Sequence, residues 1–324
     1  MTDTNSPSPF AAGQSWTLHV GDARAVLARM PAGSADCIVT SPPYWGKRNY
    51  SITGQYGQES TPAAYIETLR GVFREARRVL ADDGTCWLNL GDSYSAGGGG
   101  ATGMHAYLGG HLTTHAATGM PPKNMLGLPW QVAFALQADG WILRNAIVWH
   151  KPNAMPESVR DRLAGRHELL FLLVKSPAYW FDLDPIREPH TAATRREPPT
   201  TRGGRTRPPG HPGSPARPGG TTARRDATRH PNGRNPGDVW SIPTRSYSGP
   251  HFATYPIGLP LRCIAAGCKP GGTVLDPFTG SGTTGLAAIQ LGRRFTGIDI
   301  SPNFARLAAD RIAQAVTGRQ ENPR

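Results

Sequence analysis

Seven short, nearly continuous apolar runs constrain this 324-residue chain more than any other feature. They are Thr17–Val20, Cys37–Thr40, Cys86–Leu90, Ile142–Trp149, Leu169–Val174, Thr273–Leu275 and Phe295–Ile298. Several lack the apolar–polar alternation of a half-exposed strand, so they read as strands buried on both faces. Helical patterns lie between them. Thr61-Pro62 places an N-cap before a proline at the first helical position, and Ile66, Leu69, Phe73, Ala76 and Leu80 keep helical spacing until Asp83-Gly84 stops it. Ser301-Pro302 repeats the device ahead of Phe304, Leu307, Ala308, Arg311 and Ile312. Leu128–Ala138 and Thr284–Leu291 read as two further helices. The fold class expected is α/β, a doubly wound, mostly parallel sheet with right-handed crossovers. In such sheets ligands bind beyond the carboxyl ends of the strands.

Composition narrows the setting. With 38% hydrophobic residues the chain can bury a core. No apolar run approaches the ~20 residues needed to span a bilayer, and the start MTDTNSPSPF has no signal-peptide core. Cys37, Cys86, Cys263 and Cys268 form no CxxC pair, so neither a metal site nor a disulfide framework is expected, and a cytoplasmic home is. The net charge of +12 points to a polyanionic partner, yet it is localised. Arg187 to Pro236 holds 11 arginines, no lysine and three acidic residues, among ten prolines and seven glycines. That stretch cannot form a core and reads as a flexible insert. Either it touches nucleic acid or it is merely solvated; 30 Arg against 5 Lys chain-wide is what GC-rich coding bias leaves in an unconstrained loop. The glycine-rich stretch from Ser95 through Gly119 reads as a second loop.

Near the C-terminus, Thr273 to Gly285 reads as strand, glycine turn and helix start. Gly280, Gly282 and Gly285 satisfy G-x-G-x-x-G, and Asp299 ends the next strand nineteen residues after Gly280. A dinucleotide site would fit that spacing. A P-loop fits poorly, because the phosphate-binding lysine is missing. Asp276 tips the balance: at the end of the strand, before the glycines, it would repel a diphosphate but meet a ligand's ammonium group. The N–H groups at Gly282–Thr284 would take a carboxylate, and Asp299 ribose hydroxyls. Together these favour S-adenosylmethionine over NAD.

The second motif is Asp36 to Trp45, a buried strand running into Ser41-Pro42-Pro43-Tyr44. Paired prolines remove two backbone donors and leave carbonyls free to point outward. A rigid turn with a hydroxyl, a free carbonyl and an aromatic ring suits a planar base held by its exocyclic amine. That amine is a poor nucleophile because its lone pair is delocalised into the ring. Accepting its hydrogens at the Pro42 carbonyl and Ser41 favours a more tetrahedral, reactive nitrogen, with Tyr44 stacked on the base. A strand that simply ends in Pro-Pro with buried aromatics is the structural alternative.

Ser41-Pro42-Pro43-Tyr44 followed, 232 residues on, by Asp276-Pro277-Phe278-x-Gly280-x-Gly282 resembles the beta-class amino-DNA methyltransferases, which methylate cytosine N4 or adenine N6. In that class the sheet is circularly permuted, the catalytic motif comes first and the target recognition region lies between the motifs. His19-x-Gly21-Asp22, Trp87–Ser93, Trp149–Asn153, Asp238–Trp240 and His251–Pro256 also look familial. The resemblance implies a catalytic domain at residues 1–150 and 251–324, with recognition at 151–250 and the flexible insert inside it. It implies a cofactor pocket of Asp22, Asp276, Pro277, Phe278, Gly280, Ser281, Gly282, Thr283, Thr284 and Asp299, and a target site of Ser41, Pro42, Pro43 and Tyr44. Asp22 has a competing reading as an ordinary helix N-cap before Ala23–Met30, and His150 and Lys151 read equally as contacts to DNA or as a packed loop.

The reaction implied is direct methyl transfer from S-adenosylmethionine to an amine of a flipped base in double-stranded DNA, with no cysteine nucleophile. Serine at the head of the motif resembles the N4-cytosine enzymes more than the N6-adenine ones. The resemblance also admits a homodimer and a cognate restriction endonuclease acting on the same site. An RNA or small-molecule methyltransferase would share the cofactor turn but leave the motif order and the segment between Lys151 and Pro250 unexplained. A non-enzymatic DNA-binding module would leave both motifs idle.

Overall fold

A computed structural model describes residues 7–95, 115–190, 230–244 and 255–320. The arginine-rich stretch between its two ends, residues 96–114 and His251–Thr254 lie outside them. Among the described residues nine strands form one sheet, ordered β1-β2-β9-β8-β3-β4-β6-β5-β7. They are β1 (Ala11–Ala12), β2 (Trp16–Val20), β3 (Ala35–Thr40), β4 (Leu80–Leu90), β5 (Ile142–His150), β6 (His167–Val174), β7 (Val239–Ser241), β8 (Thr273–Asp276) and β9 (Arg294–Asp299). Neighbours from β2 through β4 run parallel. Strand β6 alone reverses direction in the interior, antiparallel to both β4 and β5. All seven expected strands are present. The additional β1 and β7 have two and three residues, too few to show a period.

Helices cover both faces. Alternate strand residues Ile38, Cys86, Leu88, Leu275 and Ile298 join a core with Leu69, Val72, Phe73 and Ala76 of the helix Pro62–Val79 and with Leu128, Val132 and Leu136 of the helix Leu128–Ala138. The residues between them point the other way, as the two-residue strand period requires. On that face Thr85 Oγ1 donates to the Gly267 carbonyl (2.7 Å) at the end of the helix Gly258–Gly267. Burying a side chain such as Leu69 or Phe73 contributes about 1.5–3 kcal/mol.

One boundary differs from the sequence reading. The helix ends at Val79 and β4 starts at once, so Asp83-Gly84 does not stop a helix but lies inside a strand. Ala35 pairs with Leu80 and Cys37 with Thr85, so a two-residue step in β3 faces a five-residue step in β4. The polar pair occupies this bulge, which a periodicity argument mistakes for a chain break.

By its contacts the chain divides into two compact units, Met1–Pro185 with Gly237–Arg324, and Ile186–Pro236. In the second unit the two described ends are tied together. Glu188 and Arg234 form an antiparallel bridge and an ion pair of 2.7 Å, and His190 Nε2 donates to the His230 carbonyl at 3.0 Å. Among the described residues no helix is long and apolar enough to cross a membrane.

Candidate active site

Asp276, the last residue of β8, is 2% exposed. Its carboxylate accepts hydrogen bonds from Thr40 Oγ1 (2.6 Å), the Phe278 N–H (3.0 Å) and the Thr284 hydroxyl, with the Tyr255 hydroxyl at 3.5 Å. Thr284 has one hydroxyl proton, so Tyr255 donates to Thr284 in turn. All of these donors are neutral. Burial pushes the Asp276 carboxyl above the usual carboxylate range, and the bonds from Thr284, Thr40 and Phe278 pull it back. The turn after it needs its glycines: Gly280 and Gly282 have φ of +52° and +81°, and a Cβ on Gly282 would lie 2.9 Å from that of Ala308. The helix Thr283–Gln290 starts there, presenting backbone N–H groups and the positive end of its dipole. Asp299 closes the turn, accepting from the N–H groups of Gly280 and Ser301, both at 2.8 Å. Burial pushes its carboxyl up to about 6 against those two bonds, and the negative charge of Asp276 adds to the rise.

A second polar cluster is built from the Ser41–Tyr44 turn after β3. Ser41 Oγ donates to Tyr44 Oη at 3.2 Å. Tyr44 Oη lies 2.8 Å from Glu168 Oε2 and 3.0 Å from Asn89 Oδ1. Its single proton goes to the carboxylate, the charged and closer acceptor. Asn89 is fixed by its own bond to the Leu169 carbonyl (3.1 Å). Lys151 forms an ion pair with the other oxygen of Glu168 and lies 4.4 Å from the centre of the buried Trp149 ring. The Pro43 carbonyl accepts from the Tyr65 hydroxyl (3.0 Å), whereas no donor among the described residues is bonded to the Pro42 carbonyl. Gly91 abuts one side of the Tyr44 ring: a Cβ there would lie 2.6 Å from Cε2. Burial, then the charge of Glu168, push the Tyr44 hydroxyl well above the usual phenol range, so it stays protonated.

The sequence profile of the N6/N4-type DNA methylase family matches residues 35–310. The Type II methyltransferase M.Cfr9I of Citrobacter freundii is 42% identical over 299 residues, covering 91% of this chain and 87% of that protein. The chain belongs to the DNA methylase family. Among solved structures, TTHA0409 of Thermus thermophilus, described as a putative DNA modification methylase and complexed with S-adenosyl-L-methionine, is similar at 27% identity and a TM-score of 0.56, covering 93% of this chain and 96% of that one. The cytosine-N4-specific PvuII DNA methyltransferase shares the fold at a TM-score of 0.63 and 16% identity, covering 98% of this chain and 96% of that one.

In this DNA methylase the predicted residues fall into three groups. Asp276 through Thr284 run as one stretch from the end of β8 through the glycine turn into the following helix, and Asp299, at the end of the neighbouring β9, joins them through the Gly280 N–H. Ser41 to Tyr44 follow β3, the next strand in the sheet. Asp22 is the helix N-cap: Oδ1 accepts from the Ala25 N–H (2.8 Å) and Oδ2 from the Tyr56 hydroxyl (2.5 Å). Tyr56 packs edge-on against Phe278, with centroids 5.2 Å apart, which joins Asp22 to the glycine turn. His150 Nδ1 lies 3.1 Å from Ser241 Oγ. Glu168, Gly91 and the hydroxyl of Tyr255 were not read as site features from the sequence.

Proposed function

We propose that this methyltransferase transfers a methyl group from S-adenosylmethionine to the N4 amine of cytosine, flipped out of double-stranded DNA at a specific site. The observation that carries the target half is a Ser41 hydroxyl whose proton is turned toward Tyr44, next to a Pro42 carbonyl to which no described residue donates. Both oxygens therefore present lone pairs, the complement of an NH2 group. The cofactor half rests on the donor set. The buried Asp276 carboxylate, whose donors among the described residues are all neutral, fits the ammonium end of the cofactor, and the helix start at Thr283 fits its carboxylate. Asp299 fits the ribose diol, and Phe278 with Tyr56 walls the pocket toward Asp22. The Thr284 hydroxyl faces Asp276, so its role is to hold that carboxylate rather than to reach the ligand.

Bound S-adenosylmethionine supplies an electrophilic methyl group on a positive sulfur. The chain orients the amine in line and accepts its hydrogens; effective positioning of this kind supplies much of the barrier reduction. Burial pushes the thiols of Cys37, Cys86 and Cys263 up, away from the thiolate a covalent route would need. Within this reading the recognition region is the part of residues 151–250 outside β6 and β7, which belong to the sheet, and a restriction endonuclease cutting the same site is the natural partner of a Type II enzyme. Replacing residues 191–229 by a short linker between His190 and His230 should weaken DNA binding and flatten its salt dependence; unchanged binding assigns no DNA contact to that stretch.

Expression in a methylation-free host, followed by mass analysis of nucleosides, tests the reaction. N4-methylcytosine is expected. N6-methyladenine overturns the choice of base, and unmodified DNA overturns the reaction.

A further inference from the structure

Methylating an amine puts a positive charge on its nitrogen, and one N–H proton has to leave before the product is neutral. The proposed function puts that nitrogen at Ser41, and the route taken by its proton rests on that reading. A serine hydroxyl can pass a proton on but cannot keep it, and Tyr44 next to it remains a neutral phenol, which has the same limitation. The hydrogen bonds continue one step further. Ser41 Oγ donates to Tyr44 Oη at 3.2 Å, and Tyr44 Oη donates to Glu168 Oε2 at 2.8 Å.

We propose that Ser41, Tyr44 and Glu168 form a proton relay that carries the departing amine proton to the Glu168 carboxylate. As the new N–C bond forms, the amine proton moves to Ser41 Oγ, the serine proton to Tyr44 Oη, and the tyrosine proton to Glu168 Oε2. Each hydroxyl ends as it began, the base is neutral, and the carboxylate has become a carboxylic acid. Glu168 acts through the two hydroxyls and does not touch the base, so it is a positioning residue and proton acceptor.

Three features of the fold support a relay over an incidental contact. Glu168 lies near the start of β6, which is antiparallel to its two neighbours, so this end of the strand reaches the edge where β3 and β4 finish. Gly91, against one side of the ring, and the Ser41 hydroxyl, donating to Tyr44 Oη, hold Tyr44 in one place. Lys151 neutralises the carboxylate before the reaction, and the Glu168 side chain, 18% exposed, can give its proton up to solvent afterwards.

The test is single-turnover methyl transfer to unmethylated DNA by the full chain, with cofactor and DNA affinities and thermal unfolding measured on each variant. Glu168→Gln keeps an oxygen for Tyr44 but cannot take up a proton. Its transfer rate should fall by at least about 30-fold, toward the size of general-base effects, with both affinities within twofold of wild type. Tyr44→Phe should fall equally, and the double variant no further. Adding Lys151→Met to Glu168→Gln removes the orphaned cation and should restore nothing. A Glu168→Gln enzyme within threefold of wild type, or recovery on removal of Lys151, overturns the relay while leaving the methyltransferase reading intact. Wild-type protein that transfers no methyl group to DNA overturns that reading and the relay with it.

Discussion

The two acidic centres at the carboxyl edge of the sheet are balanced in opposite ways. Asp276 and Asp299 are surrounded by hydroxyls and backbone N–H groups, which solvate charge without cancelling it. Glu168 carries a lysine on its second oxygen, so its charge is cancelled on the spot. The first arrangement leaves a standing negative field for a cationic ligand. The second leaves none, but holds a strong acceptor at the end of a hydrogen-bonded chain. In the proposed reading, one edge of one sheet thus separates holding a cofactor from handling a proton, and the separation follows from which partners the fold supplies to each carboxylate.

The largest effect should come from Asp276→Ala. Removing the carboxylate orphans the hydroxyls of Thr40 and Thr284 and the Phe278 N–H, at about 1–3 kcal/mol of stability per buried group left unpaired. Cofactor affinity by calorimetry should fall about 100-fold or more, the loss expected of a charged contact worth roughly 3 kcal/mol. Retained affinity would break the division between the two centres. Ser41→Ala should lower turnover by about 100-fold while cofactor affinity stays within twofold; the reverse pattern would move Ser41 to the cofactor side.

A smaller effect tests the charge of Asp299. Its carboxyl is raised to about 6, so its contribution to apo stability is present at low pH and lost as pH rises through that value. Cofactor affinity should run the other way. Binding favours the ionised carboxylate and should weaken several-fold between pH 7.5 and 5.5, measured by titration. In Asp299→Asn the affinity should be low throughout and this pH dependence should disappear.

What was legible in the sequence tracks how local each centre is. The cofactor turn runs without interruption from Asp276 to Thr284, and its glycines, helix start and flanking strand sit in one stretch of sequence. The target turn announced itself through Pro-Pro and an adjacent aromatic residue. Glu168 gave no such signal. Reading a parallel sheet directs attention to residues after the strands, whereas Glu168 lies at the beginning of one, and only the antiparallel pairing of β6 brings it to the same edge. Tyr255 was legible as part of a familiar segment, but its bond to Thr284 spans 29 residues and depends on packing. Asp22 had two sequence readings, and its carboxylate serves as a cap through one oxygen while the other meets Tyr56.

The bridge between Glu188 and Arg234 has a consequence for how this chain can change over time. Once two strands are clasped, lengthening what lies between them adds little entropy cost, about 0.6 kcal/mol for each doubling of the enclosed length. The clasp of Glu188 with Arg234 and His190 with His230 thus sets where the chain leaves and returns, whatever length it encloses.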